Sequence, residues 1–206
     1  MLLVVVAALT SVSPALADGD PASDYLLFAS TFVPSDIGVP KAYADQLTAT
    51  VREAKARGYT IRVALIGSRY DMGSVTVLYK QPKQYARFLG TELSVIYKNR
   101  LLIVMPNGLA VSRDGHPAPG EQAVVDRLAA PGDDATALAS TATRAVVKLA
   151  ADAGVIVQPA PLAASGRKEP GSTATGDRIT IAAAALVVAL AVGLYLFFRR
   201  RVAFLP

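Results

Sequence analysis

Three groups of residues in this 206-residue chain have the types and spacing to do chemistry. The first lies just past β-prone apolar runs: Ser35 and Asp36, then Ser68, Arg69, Tyr70 and Asp71, then Asn107 within Pro106-Asn107-Gly108. In an open α/β sheet, ligands favour the crevice beyond the carboxyl ends of the strands. Asp36 and Asp71 together could hold a hard cation such as calcium through oxygen ligands, and Arg69 could pair with an anionic group. The commoner use of Asp at such places is to cap a turn or helix, and no Asp-x-Asp-x-Asp-Gly calcium loop occurs in the chain. The second group, Asp18, Asp20 and Asp24, is an acidic patch that could collect calcium, although chain termini are ordinarily disordered. The third, Ser112, Asp114 and His116, has the side chains of a hydrolase triad. They sit at alternate positions of one Gly/Pro-rich loop, whereas a triad needs groups converging from rigid elements. His116 therefore reads as a solvated loop residue.

Other chemistries are excluded by composition. The chain has no Cys and a single His, which removes disulfides, iron–sulfur clusters, thiolate zinc sites, Cys nucleophiles and His-rich metal sites. Neither a Gly-x-Ser-x-Gly elbow nor a phosphate-binding Gly-rich loop is present. The formal charge is +5, but residues 18–178 hold 18 Lys and Arg against all 16 Asp and Glu. The remaining excess is Arg199, Arg200 and Arg201, so no basic stripe is available for nucleic acid.

The elements that must position these groups can be read from periodicity. Residues 25–33 are apolar and β-prone, and Pro34 ends them. A helix is predicted from Pro40, with Tyr43, Leu47, Val51 and Ala54 on one face and Gly58 as its stop. Residues 59–67 form a β-branched run that predicts a buried strand. A short apolar element follows at 75–79, limited by Pro82. A second helix is predicted over 83–97, with Tyr85, Leu89, Leu93 and Ile96 on its stripe. The runs 101–105 and 109–112 around Asn107-Gly108 predict a β-hairpin. Two further helices are expected over 120–129 and 133–153, the latter opened by acidic residues. This order predicts an α/β fold with a small layered sheet, partly parallel with a β-hairpin, and helices packed on it.

The two ends carry the targeting signals. Residues 2–9 are apolar and precede Pro14 and Ala15-Leu16-Ala17, the pattern of a signal peptide over 1–17. Residues 179–198 run without a charge and, at 1.5 Å per residue, would span about 30 Å as a helix. Tyr195 suits the interface, and Arg199, Arg200 and Arg201 mark the cytoplasmic side of a basic tail over 199–206. Residues 158–178 are rich in Pro, Gly, Ser and Ala and read as a flexible stalk. The expected organisation is an extracytoplasmic body over 18–157 tethered to the cytoplasmic membrane by one C-terminal transmembrane helix. Within the stalk, Leu162-Ala163-Ala164-Ser165-Gly166 resembles a sortase sorting signal, with Ser165 in place of the usual Thr, which opens the alternative of a wall-anchored surface protein.

The body over about residues 22–153 resembles the TPM domain family. The carriers are helix 40–57, strand 59–67, helix 83–97 and hairpin 101–112, with Tyr97-Lys98-Asn99-Arg100-Leu101-Leu102-Ile103-Val104-Met105 like the family's entry into its central hairpin strand. The chain departs after the hairpin, where Ser112-Arg113-Asp114-Gly115-His116-Pro117 replaces the family's charged strand and Gly-Tyr-Gly-like turn. The resemblance implies an anchored module engaged in membrane-protein maintenance, with calcium binding and phosphatase-like activity known in plant members. The leading expectation is a non-catalytic binding or assembly module for a membrane or envelope partner. A metal-assisted phosphatase using Asp36 and Asp71 is the alternative.

Overall fold

Segments that are apolar at most positions, rather than at alternate ones, become the middle of the sheet. The computed structural model describes residues 19–162, which lie within one compact unit ending at Ala163. Its five strands are β1 (Thr31–Phe32), β2 (Ile61–Leu65), β3 (Arg100–Met105), β4 (Gly108–Arg113) and β5 (His116–Pro117). They hydrogen-bond in that order. β1, β2 and β3 are parallel, with Val63 opposite Thr31 and Leu102, and β4 runs antiparallel to β3, with Leu102 opposite Val111. β5 pairs antiparallel with β4. The helices are α1 (Pro21–Leu26), α2 (Lys41–Ala56), α3 (Pro82–Leu93), α4 (Pro119–Val125) and α5 (Ala135–Asp152). A kinked 3₁₀ segment, Arg69–Leu78, lies between β2 and α3.

Alternation along the strands divides the core in two. Ile61, Val63, Leu65, Leu102, Val104, Leu109 and Val111 pack with α2, α4 and α5. Ala64, Ile66, Leu101, Ile103, Met105 and Ala110 pack with α1, α3 and Met72 of the 3₁₀ segment. Both faces are covered, which is why β2 and β3 read as continuous apolar runs. The sequence is thus an α/β chain with a mixed five-stranded sheet between two helical layers, as its periodicity predicts.

α2 stops where Gly58 takes φ +91°, with Gly58 N–H donating to Lys55 O (3.0 Å) and Tyr59 N–H to Ala54 O (2.8 Å). That pair of bonds is the Schellman ending expected of a glycine just past a helix. α5 opens on Asp134, whose side chain accepts from the Ala137 N–H at 2.6 Å, consistent with acidic residues favouring a helix start.

Several elements differ from the periodicity. Residues 25–33 are not one strand: Asp20 caps α1, Pro21 occupies its first turn, and only Thr31 and Phe32 enter the sheet. The N-cap and Pro outweigh the β-propensity of the residues that follow. The loop at 68–74 and the apolar element at 75–79 merge into the 3₁₀ segment, broken at Gly73 (φ 50°, ψ −119°). A Cβ there would stand 2.1 Å from Gly19 O, so the N-terminal strap can lie against the segment only because residue 73 is glycine. α3 ends at Leu93, which leaves Ile96 54% exposed rather than on the buried stripe. In the hairpin the two turn residues are Pro106 and Asn107, and Gly108 already pairs with Met105.

The body also extends past residue 157. Gln46 Nε2 donates to Ala160 O (2.7 Å), and the Ala160 N–H donates to Thr50 Oγ1 (3.1 Å), so residues up to 160 are fastened to α2. Among the described residues no helix is long and apolar enough to cross a membrane. The expected signal peptide, most of the stalk, the 179–198 span with Tyr195, the tail with Arg199, Arg200 and Arg201, and all but Leu162 of the sorting-like pentapeptide lie outside the described residues.

Candidate functional site

The chain leaves β1 toward α2 on one face of the sheet and leaves β2 toward the 3₁₀ segment and α3 on the other. Both connections step in the same direction along the sheet, so the two crossovers have opposite hands, and one of them is of the rare left-handed kind. Adjacent loops that diverge to opposite faces open a crevice between them, which is the general reason ligands collect at such points. Asp36 lies in the loop after β1, and Asp71 in the first turn of the 3₁₀ segment that follows β2. At the base of the crevice the loops touch: a Cβ on Gly67 would come within 2.7 Å of the Ile37 side chain.

The structure divides the two expected uses of Asp71 between its two oxygens. Oδ2 caps, accepting from the Gly67 N–H (2.8 Å) and the Ser68 N–H (2.7 Å). Ser68 reciprocates through Oγ, which accepts from the Tyr70 N–H at 3.2 Å, completing a capping box. Oδ1 is buried without a hydrogen-bond partner, in a residue only 3% exposed. The Asp36 carboxyl is close enough to act on the Asp71 carboxyl. Burial first, and then the negative charge of Asp36, push the Asp71 carboxyl above its ordinary range, against the lowering effect of the two backbone donors. The negative charge beside it makes the ionised form of the Asp71 carboxyl costlier.

The remaining crevice residues have distinct roles. Ser35 is exposed beside Asp36, and Arg69 and Tyr70 are exposed on the turn that carries Asp71, Tyr70 by 82%. Asn107 is a tether: its Nδ2 donates to Lys80 O at 2.7 Å and holds Lys80, two residues before α3, whose own φ is +62°. Two further groups carried no sequence signal. The Tyr79 hydroxyl donates to Gly67 O at 2.8 Å, and burial, then Asp133 and Asp71, raise its pKa against Arg69. Asp133 reaches this end because the Gly132 N–H donates to Pro106 O at 2.9 Å. Both arrive from segments distant in sequence, and only the packing of loops on the sheet end brings them in.

The other two candidate groups resolve differently. Asp20 is neither disordered nor solvated: it is 5% exposed and accepts from the Tyr85 hydroxyl at 2.9 and 2.7 Å and from the Ala22 N–H at 3.1 Å. Burial pushes its carboxyl up to about 6 in spite of those donors, with Asp24 and Glu92 adding repulsion. Asp24 is exposed, and Asp18 lies outside the described residues. Ser112 is buried, with its Oγ donating to Ala86 O at 2.7 Å, so its hydroxyl is committed to α3. Asp114 sits in the β4–β5 turn at φ 51°, and His116 is exposed on β5 opposite Arg113. The three make no triad.

Among the described residues no three carboxylates or imidazoles cluster as a metal centre. The crevice therefore has the donors for a cation only as a pair, Asp36 and Asp71. No family model, curated protein or solved structure matches the chain.

Proposed function

We propose that this chain is a membrane-anchored extracytoplasmic binding or assembly module of TPM-like architecture whose crevice takes a divalent cation, calcium being the best fit, between Asp36 and Asp71. The observation that carries the cation is the buried Asp71 Oδ1, which has no partner and stands beside a second carboxyl. A buried acceptor of this kind is costly unless a proton or a cation meets it. Two carboxylates balance the charge of one divalent ion, and calcium takes six to eight oxygens. Several coordination positions would thus be left for water or for a partner's oxygen atoms, which suits recruitment of a membrane or envelope protein. The span, tail and signal peptide expected from residues 1–17 and 179–206 support the placement outside the cytoplasmic membrane, with the bilayer itself holding the C-terminal helix.

Calcium added to the full chain in detergent, at about one hundred times its Kd, is expected to stabilise the body by about 2.7 kcal/mol. That is a Tm increase of roughly 6–10 °C for a body of this size. Asp71→Asn is expected to abolish the increase while keeping the cap. An equal increase in wild type and variant would overturn the cation site.

A metal-assisted phosphatase would use the same pair, and the exposed Arg69 on the Asp71 turn favours it as a second reading. Calcium- or magnesium-dependent hydrolysis of an aryl phosphate, lost in Asp71→Ala, would establish it.

A further inference from the structure

We propose that α1 is a pH-gated latch. The Asp20 carboxyl, held by the Tyr85 hydroxyl, docks α1 over α3 and the 3₁₀ segment, and ionisation of Asp20 releases residues 19–29 while the rest of the body stays folded.

The hydrogen-bond layout permits such a release. The backbone bonds of this stretch are local: the Asp24 N–H donates to Asp20 O (3.3 Å), and the Phe28 and Ala29 N–H groups donate to Tyr25 O (3.3 and 3.1 Å). The tie to the sheet begins at Ser30, whose carbonyl accepts from the Val63 N–H at 2.9 Å. Detaching residues 19–29 therefore breaks no bond of the β1–β2 ladder. The apolar hold is small. Ala22 and Leu26 are the two buried residues of α1, in one cluster with Met72, Tyr85 and Leu89. Burying one leucine is worth roughly a ten- to hundredfold factor in the docking equilibrium. At the far end Arg62 Nη2 reaches Leu27 O at only 3.5 Å, and at the near end Gly19 O lies against Gly73 of the 3₁₀ segment.

Asp20 is the titratable group at the centre of this interface, 5% exposed and accepting from the Tyr85 hydroxyl and the Ala22 N–H. Around it stand Asp24 on α1, Tyr85 and Glu92 on α3 and, acting on Tyr85, the Asp71 carboxyl of the 3₁₀ segment. None of these is a cation. Lys83 of α3 pairs with Asp126, Arg87 and Arg69 are exposed, Arg62 meets Leu27 and the Tyr97 ring, and β1 carries no charge. Burial, with Asp24 and Glu92 adding repulsion, holds the docked carboxyl at about 6, against 3.8 for a solvated one. Docking thus loses roughly a hundredfold as pH rises from 4 through 6. That factor matches what the buried leucine contributes, so α1 is the part of the body that ionisation can free first. The device needs no ligand at Asp36 and Asp71, and the segment it holds is the one that carries Asp71.

The test is amide hydrogen exchange of the full chain in detergent between pH 4 and 8, corrected for the intrinsic exchange rate and read on residues 20–29 and on β3. Expected is a roughly hundredfold loss of protection in residues 20–29, with protection there at least about tenfold below that of β3 at every pH. In Asp20→Asn the protection of residues 20–29 should stay level. Tyr85→Phe removes a donor that favours the ionised carboxylate, so its loss should extend above pH 6. Equal protection of residues 20–29 and β3 would mean that α1 leaves only when the whole body unfolds, and overturns the latch. So does a level profile in wild type, a loss in Asp20→Asn as large as in wild type, or a loss in Tyr85→Phe that ends at the wild-type pH.

Discussion

At the carboxyl end of the parallel strands two carboxyls face each other, and one buried oxygen has no partner. At the amino end one carboxylate, Glu121, is shared between two guanidiniums, Arg100 and Arg113. The contrast follows from where the side chains are mounted. Arg100 and Arg113 face each other across the β3–β4 ladder, so strand register alone sets them side by side. Asp36 and Asp71 come from loops that diverge to opposite faces and meet only over the crevice. The amino end joins the sheet to α4 by opposite charges, whereas the carboxyl end places like charges together. That second arrangement is destabilising in itself.

The largest effect that separates the two ends should come from Glu121→Ala. Arg100 and Glu121 are each about one-sixth exposed, and stripping a largely buried pair of one partner costs about 3 kcal/mol. Urea denaturation should show that loss. A loss under about 0.5 kcal/mol would mean that the amino-end ion pairs are surface decoration.

The next effect is a pH dependence at the strap. The Asp20 carboxyl is raised from its ordinary value near 3.8 to about 6 in the folded chain, so the folded state holds a proton that the unfolded state releases. The stabilisation is therefore complete below about pH 4 and declines as pH rises through 6, by about 3 kcal/mol in all. Asp20→Asn, which imitates the protonated group, should flatten the profile between pH 4 and 6. A profile in which wild type gains stability over that interval would reverse the assignment.

The smallest effect sharpens the contrast most. Asp71→Ala should cost about 1–2 kcal/mol through loss of the cap that receives Gly67 and Ser68. Asp71→Asn can keep that cap while its amide donates toward Asp36. Without calcium it should equal wild type or exceed it by up to about 1 kcal/mol, read by thermal denaturation at pH 7. Equal losses in both variants would show that repulsion between the two carboxyls contributes nothing.

Much of the scaffold was legible beforehand. The heptad-like spacing of Leu47, Val51 and Ala54, the largely apolar runs of β2 and β3, and the helix-stopping Gly58 are local signals, and each produced its element. The strand-end rule also selected Asp36 and Asp71 as neighbours in waiting. It could not say that Asp71 would cap with one oxygen and leave the other bare. The failures share a cause. Residues 25–33 look like a strand because Tyr25, Leu26, Phe28, Phe32 and Val33 are β-prone. Asp20 and Pro21 start α1 there instead, and the capping Asp20 is itself held by Tyr85, 65 residues away. Tyr79 and Asp133 were invisible at the crevice because nothing about their neighbours in sequence marks them.

By itself the amino-acid order determined the layer architecture, the hairpin, the lack of thiol chemistry, and the two apolar termini. Those properties rest on periodicity and composition, which act over a few residues or over the whole chain. Only the tertiary structure decided which polar side-chain atoms were buried without partners among the described residues: Asp71 Oδ1, the Tyr59 hydroxyl and Arg62 Nη1. Burial of a single oxygen depends on loops and side chains arriving from distant parts of the chain, and no local pattern encodes that meeting.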